Sequence, residues 1–400
     1  MTTLDAAPRL AAADWGAPSE VDRLQRRSLA AAGVGIVACA AGCFVDRPVF
    51  FRAYLVAWLF AAGVTLGCLA IAMLHHLSRG GWGLMIRRTL EAASRTLPVV
   101  LLLALPLAFG MRDLYPWARP EVVAADPILQ AKHAYLNVPF FWIRLVFFFA
   151  VWGGFAFLLN RTSLEQDRGA DPALTRRMQL ISAPGLVIYC LLATFAGVDW
   201  LMSLQPRWFS TMYGVYFFGS QGLAGMAFVI VFAAWLARRA PMEQVLTRHF
   251  FHDYGKLLLT FVMLWAYFSF SQFLIIWAGN EPEEIVWFVH RLRGGWGVVA
   301  LLLVVLHFAL PFALLLSRDL KRNPRLLGGL ALGMLAMRWI DLLWQTEPAF
   351  PHPALSWQHP AALLAVGGLW FAAFLRELKK RPLLPINDPY LPEAIAHEGH

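Results

Sequence analysis

Ten apolar runs, at 28–45, 50–75, 93–111, 138–160, 178–198, 211–237, 255–279, 295–317, 326–345 and 360–376, occupy most of this chain. Each approaches the roughly 20 residues that a helix needs to cross the hydrocarbon layer of a bilayer. A segment in that layer must satisfy its own backbone polar groups, which leaves helices and closed barrels. Barrel strands alternate polar and apolar residues, whereas these runs are continuously apolar, so helices are expected. Composition agrees: 59% of the 400 residues are hydrophobic and 15% charged, against about 45–50% and about 25% in soluble domains. A soluble enzyme, a disordered chain and a collagen-like fibre are excluded. The expected fold is all-α and polytopic, with about ten transmembrane helices.

The net charge of +9 resembles a nucleic-acid footprint until its position is read. With ten crossings, 24 of the 34 Lys and Arg residues fall on the side of the N-terminus and eight on the opposite side, while Arg144 and Arg338 lie within spans. Basic residues accumulate in cytoplasmic loops. The bias predicts cytoplasmic termini and a bacterial cytoplasmic (inner) membrane, and nucleic acid need not be invoked. The reading divides the chain into a polar N-terminal arm at 1–27, a transmembrane helical domain at 28–376 and a cytoplasmic tail at 377–400. The arm lacks the apolar core of a signal peptide. The segment 382–400 is expected to be an exposed or partner-bound arm. In the one long outer loop, 112–137, Asp126-Pro127 has the form of a helix start. Trp117, Trp142, Trp200, Trp208, Trp277 and Trp287 near span ends read as an interfacial belt.

Cys39, Cys43, Cys68 and Cys190 all fall in apolar runs and read as packing residues. No CxxCH is present for haem attachment and no cysteine cluster for iron–sulfur. His307 is the one mid-membrane histidine, which argues against haem b held between histidine pairs. His249 and His252, with Asp253, read as a solvated loop without further metal ligands. The expectation is that no redox centre, metal site or catalytic residue belongs to this chain.

Ionisable groups at bilayer depth are costly, so each is a candidate site. Arg144 lies in span four, Asp199 at the end of span five, and Gln221 beside Ser220 in span six. Span seven carries Tyr267, Ser269, Ser271 and Gln272, and span eight carries His307. Arg338, Asp341 and Gln345 share one face of span nine, being three and four apart. This face reads either as a self-neutralising structural pair or as a proton relay or quinone pocket. Arg144, Asp199, Gln272, Arg338 and Asp341 all fall in the outer half. At the other membrane edge, His75, His76 and Arg79 run on to Arg87, Arg88 and Glu91. That stretch is either a basic lipid-facing loop or a proton entrance. The pattern H-x-x-R-G-G-W-G occurs at both His76–Gly83 and His290–Gly297. With no other matching pair, it reads as convergence rather than an inverted repeat.

Several stretches taken together carry a family likeness. They are His75 to Glu91, Val198-Asp199-Trp200-Leu201-Met202-Ser203-Leu204 with Trp208-Phe209-Ser210-Thr211, and Asp253-Tyr254-Gly255-Lys256-Leu257-Leu258. Trp265-Ala266-Tyr267, Phe270 through Trp277, Asn280-Glu281-Pro282-Glu283-Glu284 and Arg338-Trp339-Ile340-Asp341 complete the set. Over about residues 25–380 the chain resembles the second of the two NrfD-like membrane subunits of bacterial alternative complex III, a quinol:electron-acceptor oxidoreductase. The resemblance implies two four-helix bundles plus flanking helices, distantly similar to the anchor of polysulfide reductase. It implies as partners a paralogous NrfD-like subunit, an extracytoplasmic iron–sulfur subunit, cytochrome c subunits, small membrane subunits and a terminal oxidase. Haem c and iron–sulfur clusters are then expected in the partners, and quinol oxidation in the paralogue.

Two functions follow as expectations. In the first, a cofactor-free subunit conducts protons from His75, His76 and Glu91 through Tyr267, Gln272, His307, Arg338 and Asp341, with Asp199 near the exit. In the second, a quinone head group is held by Tyr267 or Gln272 beside Trp265 and Phe273, with Arg144 in the same cluster. A free-standing transporter ranks last. Its corresponding broken spans are not apparent, since Gly-rich span six (Gly214, Gly219, Gly222, Gly225) has no counterpart.

Overall fold

The computed structural model describes residues 15–353 and 355–396. Ten helices are long and apolar enough to cross a membrane. Spans one to five are Glu20–Val45, Arg47–Ser78, Gly81–Leu114, Val138–Gln166 and Pro172–Leu204. Spans six to ten are Tyr213–Leu236, Arg248–Gly279, Gly295–Leu316, Pro324–Ala349 and Gln358–Leu378. Among the described residues there is no strand. The chain is an all-helical, multi-pass membrane protein.

Four of the spans begin where an Asp or Asn precedes a proline. Asp46 accepts the Val49 N–H at 3.2 Å, Asn137 that of Phe140 at 2.9 Å, Asp171 that of Ala173 at 2.8 Å and Asn323 that of Arg325 at 3.0 Å. Pro48, Pro139, Pro172 and Pro324 sit in the first turns, where a missing N–H costs nothing. The same chemistry opens the expected surface helix, Pro127–Lys132, with Asp126 accepting the Ile128 N–H at 3.0 Å. Span eight contains a π-helical stretch, Leu303–Ala309, just before Pro311. Pro311 cannot donate to the His307 carbonyl four residues back, and the wider turn absorbs that loss.

Spans two to five pack as one bundle and spans six to nine as a second, with spans one and ten paired on the flank. Spans two and six are central: 89% and 83% of their apolar windows are buried, against 22% for spans seven and eight. The bundles meet where spans two and six cross at Gly67 and Gly225. A Cβ on Gly67 would overlap the Gln221 carbonyl oxygen, and one on Gly225 would lie 2.6 Å from the Gly67 carbonyl carbon. Spans one and ten meet in the same way, Gly35 against the Ala365 backbone, with Ser28 Oγ donating to the Gly368 carbonyl at 2.7 Å. Helices in lipid gain nothing from leaving water, so close packing of small residues and a few hydrogen bonds must hold them together.

Several sequence expectations change. Span one starts at Glu20, inside the expected 1–27 arm, and residues 1–14 of that arm lie outside the described residues. Of the tail expected to be an exposed or partner-bound arm, the described part, 382–396, packs on the protein itself, and 397–400 lie outside the described residues. Leu383, Leu384 and Leu391 are buried, and the Leu383 N–H donates to the Trp15 carbonyl at 2.8 Å. Apolar residues spaced along the tail, with Asp388 among them, let it fold back over the first bundle. His249, His252 and Asp253 belong to the first turns of span seven rather than to a loop. Of the expected interfacial belt, Trp117, Trp200, Trp208 and Trp287 are buried. Their outward loops fold over them: Trp117 Nε1 donates to the Ser203 carbonyl and Trp208 Nε1 to the Glu284 carbonyl, both at 3.1 Å.

Gly67→Val should cost about 3 kcal/mol by forcing side-chain atoms into backbone. Gly33→Ala, where a Cβ meets nothing within 4 Å, should stay within about 0.5 kcal/mol. Thermal unfolding of the two purified variants in detergent checks both.

Candidate functional site

The polar residues of the ten spans separate into three places. The most connected lies in the second bundle, toward the face opposite the termini. Asp341 is fully buried on span nine, and its carboxylate pairs with Arg338 one turn earlier. Tyr216 on span six donates to Asp341 Oδ1 at 2.6 Å, and Trp265 Nε1 on span seven reaches Oδ2 at 3.4 Å. Gln345 Nε2 donates to the Tyr216 hydroxyl at 3.2 Å, and the Tyr213 hydroxyl donates to Gln345 Oε1 at 2.9 Å. The spacing of Arg338, Asp341 and Gln345 does put them on one face. Their partners come from the two spans packed against that face.

The chain continues to the surface through the short helix Pro282–Leu292. Arg291 Nη2 donates to the Gln345 carbonyl at 2.5 Å, and Nη1 donates to Gln205 Oε1 and the Trp287 carbonyl, each at 3.0 Å. Its guanidinium lies 3.8 Å from the Trp287 ring centroid. Arg291 lies outside the spans, and burial pulls its guanidinium below the ordinary arginine value. Gln205 Nε2 lies 3.4 Å from His290 Nδ1. Burial, and then neighbouring Arg291 and Arg293, push His290 below its ordinary value, which favours its neutral form.

Beside Asp341 an apolar crevice of about 610 Å³ runs between spans seven, eight and nine. Trp265, Tyr267, Phe270, Phe273 and Phe308 line it, and Asp341 is its one ionisable side chain apart from the Tyr267 phenol. Tyr267 and Phe270 are more than half exposed, so the crevice opens on the outer surface of the bundle. His307 lies behind it, fully buried, with neither ring nitrogen hydrogen-bonded and its ring edge-on to Trp265 at 4.5 Å. Gln272 is buried nearby in sequence but does not line the crevice, and its Oε1 has no hydrogen-bond partner.

Arg144 and Asp199 form a second, separate place in the first bundle. Arg144 Nε and Nη2 donate to the two Asp199 oxygens at 2.7 and 3.0 Å, and Nη1 donates to the Tyr135 carbonyl at 2.8 Å. The guanidinium lies against the rings of Tyr135 and Phe140 at 3.8 and 4.4 Å. A bidentate pair held further by a third hydrogen bond and two rings is rigid. Neither residue touches the Asp341 crevice, so the outer cluster expected from sequence divides in two.

The third place lies near the termini, at the opposite ends of spans three and four. Glu91 Oε1 accepts from Arg87 Nε at 3.0 Å and from Ser163 Oγ at 2.6 Å, and Oε2 from Arg88 at 2.7 Å and Arg381 at 3.3 Å. Arg88 also pairs with Asp167, and Arg87 with tail residue Asp388 at 2.8 Å. This stretch is therefore a buried ion network and not a lipid-facing loop. Asp167 lies between spans four and five, and its carboxyl is raised by burial against the pull of Arg88. His75 and His76 line a cavity of about 200 Å³ closed by Asp388 and Tyr390, and Glu91 does not line it. The Arg87–Glu91 network and the Asp341 chain share no residue.

Sequence reading missed Tyr213, Tyr216, Gln205 and Arg291. The signal for the tyrosines was present: two at a spacing of three opening Gly-rich span six put two hydroxyls on one face. Arg291 sits on a helix of 11 residues, too short to read as a span, so the sequence alone places it in a loop. No protein-family model matches this chain, and no curated protein matches it.

Loss of the Tyr216 hydroxyl in Tyr216→Phe should cost about 1.5–3 kcal/mol, the range for a hydrogen bond to a charged group. Arg338→Ala, which strands a buried carboxylate, should cost about 3–5 kcal/mol. Tyr267→Phe should stay within about 0.5 kcal/mol. Unfolding midpoints in detergent that failed to separate Tyr216→Phe from Tyr267→Phe would break this ranking.

Proposed function

We propose that this chain is a membrane subunit of a bacterial respiratory quinol:electron-acceptor oxidoreductase of the alternative-complex-III type, supplying no redox centre of its own. Its buried polar chain carries protons between the Asp341 crevice and the face opposite the termini. The observation that carries the reading is the unbroken run Asp341–Tyr216–Gln345–Tyr213, with Arg291, Gln205 and His290 beyond it. A hydroxyl passes a proton by accepting one as it donates another and then turning. The Gln345 amide would take one on Oε1 and release one from Nε2, through its imidic-acid tautomer. Arg338 sets when Asp341 can accept one, since the pair must part first. The three-to-one excess of basic residues on the side of the termini supports cytoplasmic termini in the bacterial inner membrane.

The family likeness supplies the partners: a paralogous NrfD-like subunit, an iron–sulfur subunit, cytochrome c subunits bearing haem c, small membrane subunits and a terminal oxidase. In this reading His75, His76 and Glu91 act on the cytoplasmic side. Glu91 holds the network together, because each of its oxygens already accepts two donors.

The crevice favours a second reading, a quinone head group bound in this chain. The residues present fit one: apolar and aromatic walls, one carboxylate at the inner end, an opening on the outer surface, and His307 with two unused nitrogens behind it. A bound quinol would supply two protons and two electrons. Asp341 would accept a hydrogen bond from the ring hydroxyl, Trp265 and Phe273 would flank the ring, and Arg144 and Gln272 would take no part.

The respiratory reading predicts that the tagged chain, purified in mild detergent, brings with it c-type haem and an iron–sulfur protein, visible in a reduced-minus-oxidised spectrum. A colourless, solitary protein overturns it. In the assembled complex, Asp341→Asn should lower the number of protons moved per electron; an unchanged ratio removes Asp341 from the path. A photoreactive quinone analogue should label spans seven or nine, and absence of label there removes the second reading.

A further inference from the structure

A groove on the face opposite the termini is built unlike the Asp341 crevice. It encloses about 1000 Å³ between the end of span three, the start of span four and the loop between them. Arg47, Arg112 and His133 line it, and no Asp or Glu does. Arg47 is fixed in place: Nε donates to Asp113 at 3.2 Å and Nη2 to the Phe109 carbonyl at 2.7 Å. Asp113, the carboxylate paired with Arg47, does not line the groove. The side chains of Arg112 and His133 have no hydrogen-bond or ion-pair partner among the described residues, and both are exposed.

Much of the groove's remaining wall is apolar, with Phe109, Met111, Trp117 and Val123 among it. Leu102, Leu105 and Phe109 precede Arg112 on span three, where Leu105–Gly110 is a 3-10 helix; Phe109 lines the groove, and Leu105 and Leu102 lie farther along the span. They are 62%, 54% and 76% exposed, on a span apolar enough to cross a membrane. A cationic pocket thus stands at the head of an exposed apolar ladder running down into the bilayer.

We propose that this groove binds an anionic phospholipid, its phosphate between Arg112, Arg47 and His133 and its acyl chains along Phe109, Leu105 and Leu102. Charge complementarity selects the head group, since two arginines and a histidine face the groove without an acidic residue. The ladder selects a lipid over a peptide. An extended peptide following it into hydrocarbon would leave backbone N–H and C=O groups without partners, whereas an acyl chain has none to satisfy. A free phosphate would use the cations and ignore the ladder.

The test is native mass spectrometry of the full chain in detergent, titrated with phosphatidylglycerol, with phosphatidylcholine of the same acyl chains, and with inorganic phosphate. Phosphatidylglycerol should bind more tightly than phosphatidylcholine, and Arg112→Gln should weaken it about five-fold, the worth of one basic residue at a charged surface. Phe109→Ala should weaken it as well, and raising the salt concentration should do so without any mutation. Arg112 is exposed and unpartnered, so its variant keeps the fold. Equal binding of both lipids, or no change in Arg112→Gln, overturns the proposal. Displacement of phosphatidylglycerol by inorganic phosphate with Phe109→Ala inert assigns the groove to a free anion. Loss of a co-purifying protein from Arg112→Gln with lipid affinity unchanged assigns it to a protein partner; either result overturns the lipid.

Discussion

The contact of Gly67 with Gly225 governs the rest of the architecture. Two helices cross there with backbone against backbone, because neither residue carries a Cβ to hold them apart. In lipid, where burying apolar side chains against each other gains little, this closeness is what lets dispersion forces and weak polar contacts bind the two bundles. Span six is fixed against span two by it. Tyr213 and Tyr216 on span six are thereby placed against span nine, where Gln345 and Asp341 meet them. The proposed proton chain depends on a glycine crossing that contains none of its residues.

Charge is handled differently in the three polar places. Arg144 and Asp199 close on each other bidentately, and the Arg87–Arg88–Glu91 network extends its pairing to Asp388 in the tail. Both satisfy the demand that buried charge be compensated, and both leave little room to move. The Asp341 site is built on the same Arg–carboxylate pairing but opens on a crevice, and His307 beside it has two nitrogens unbonded. His307 lies within the π-helical stretch Leu303–Ala309, a geometry frequent at functional sites. The proposed lipid groove, on the face opposite the termini, adds a second place where polar groups meet exposed apolar surface.

Much of this was legible in the amino-acid order. The ten crossings followed from run length, and the surface helix at Asp126-Pro127 followed from capping chemistry. The face shared by Arg338, Asp341 and Gln345 followed from helical spacing. The partners of that face were not legible, because Tyr216, Trp265 and Arg291 come from elements 125, 76 and 54 residues away from the groups they bond. Nor was the separation of Arg144 and Asp199 from Asp341, since depth along a span says nothing about which bundle the span joins. The tail was misread for the same reason: Leu383, Leu384 and Leu391 look like scattered apolar residues until the first bundle offers them a surface.

What the chain alone determines is everything set by local free energy: the hydrophobic length that commits a segment to the bilayer, the Asx–Pro caps that start helices, and the spacing that aligns side chains on one face. What only the tertiary structure decided is which faces meet. That choice rests on backbone approach at a few glycines and on pairing of polar groups far apart in sequence. Their energies exist only after the helices pack, so no window along the sequence contains them.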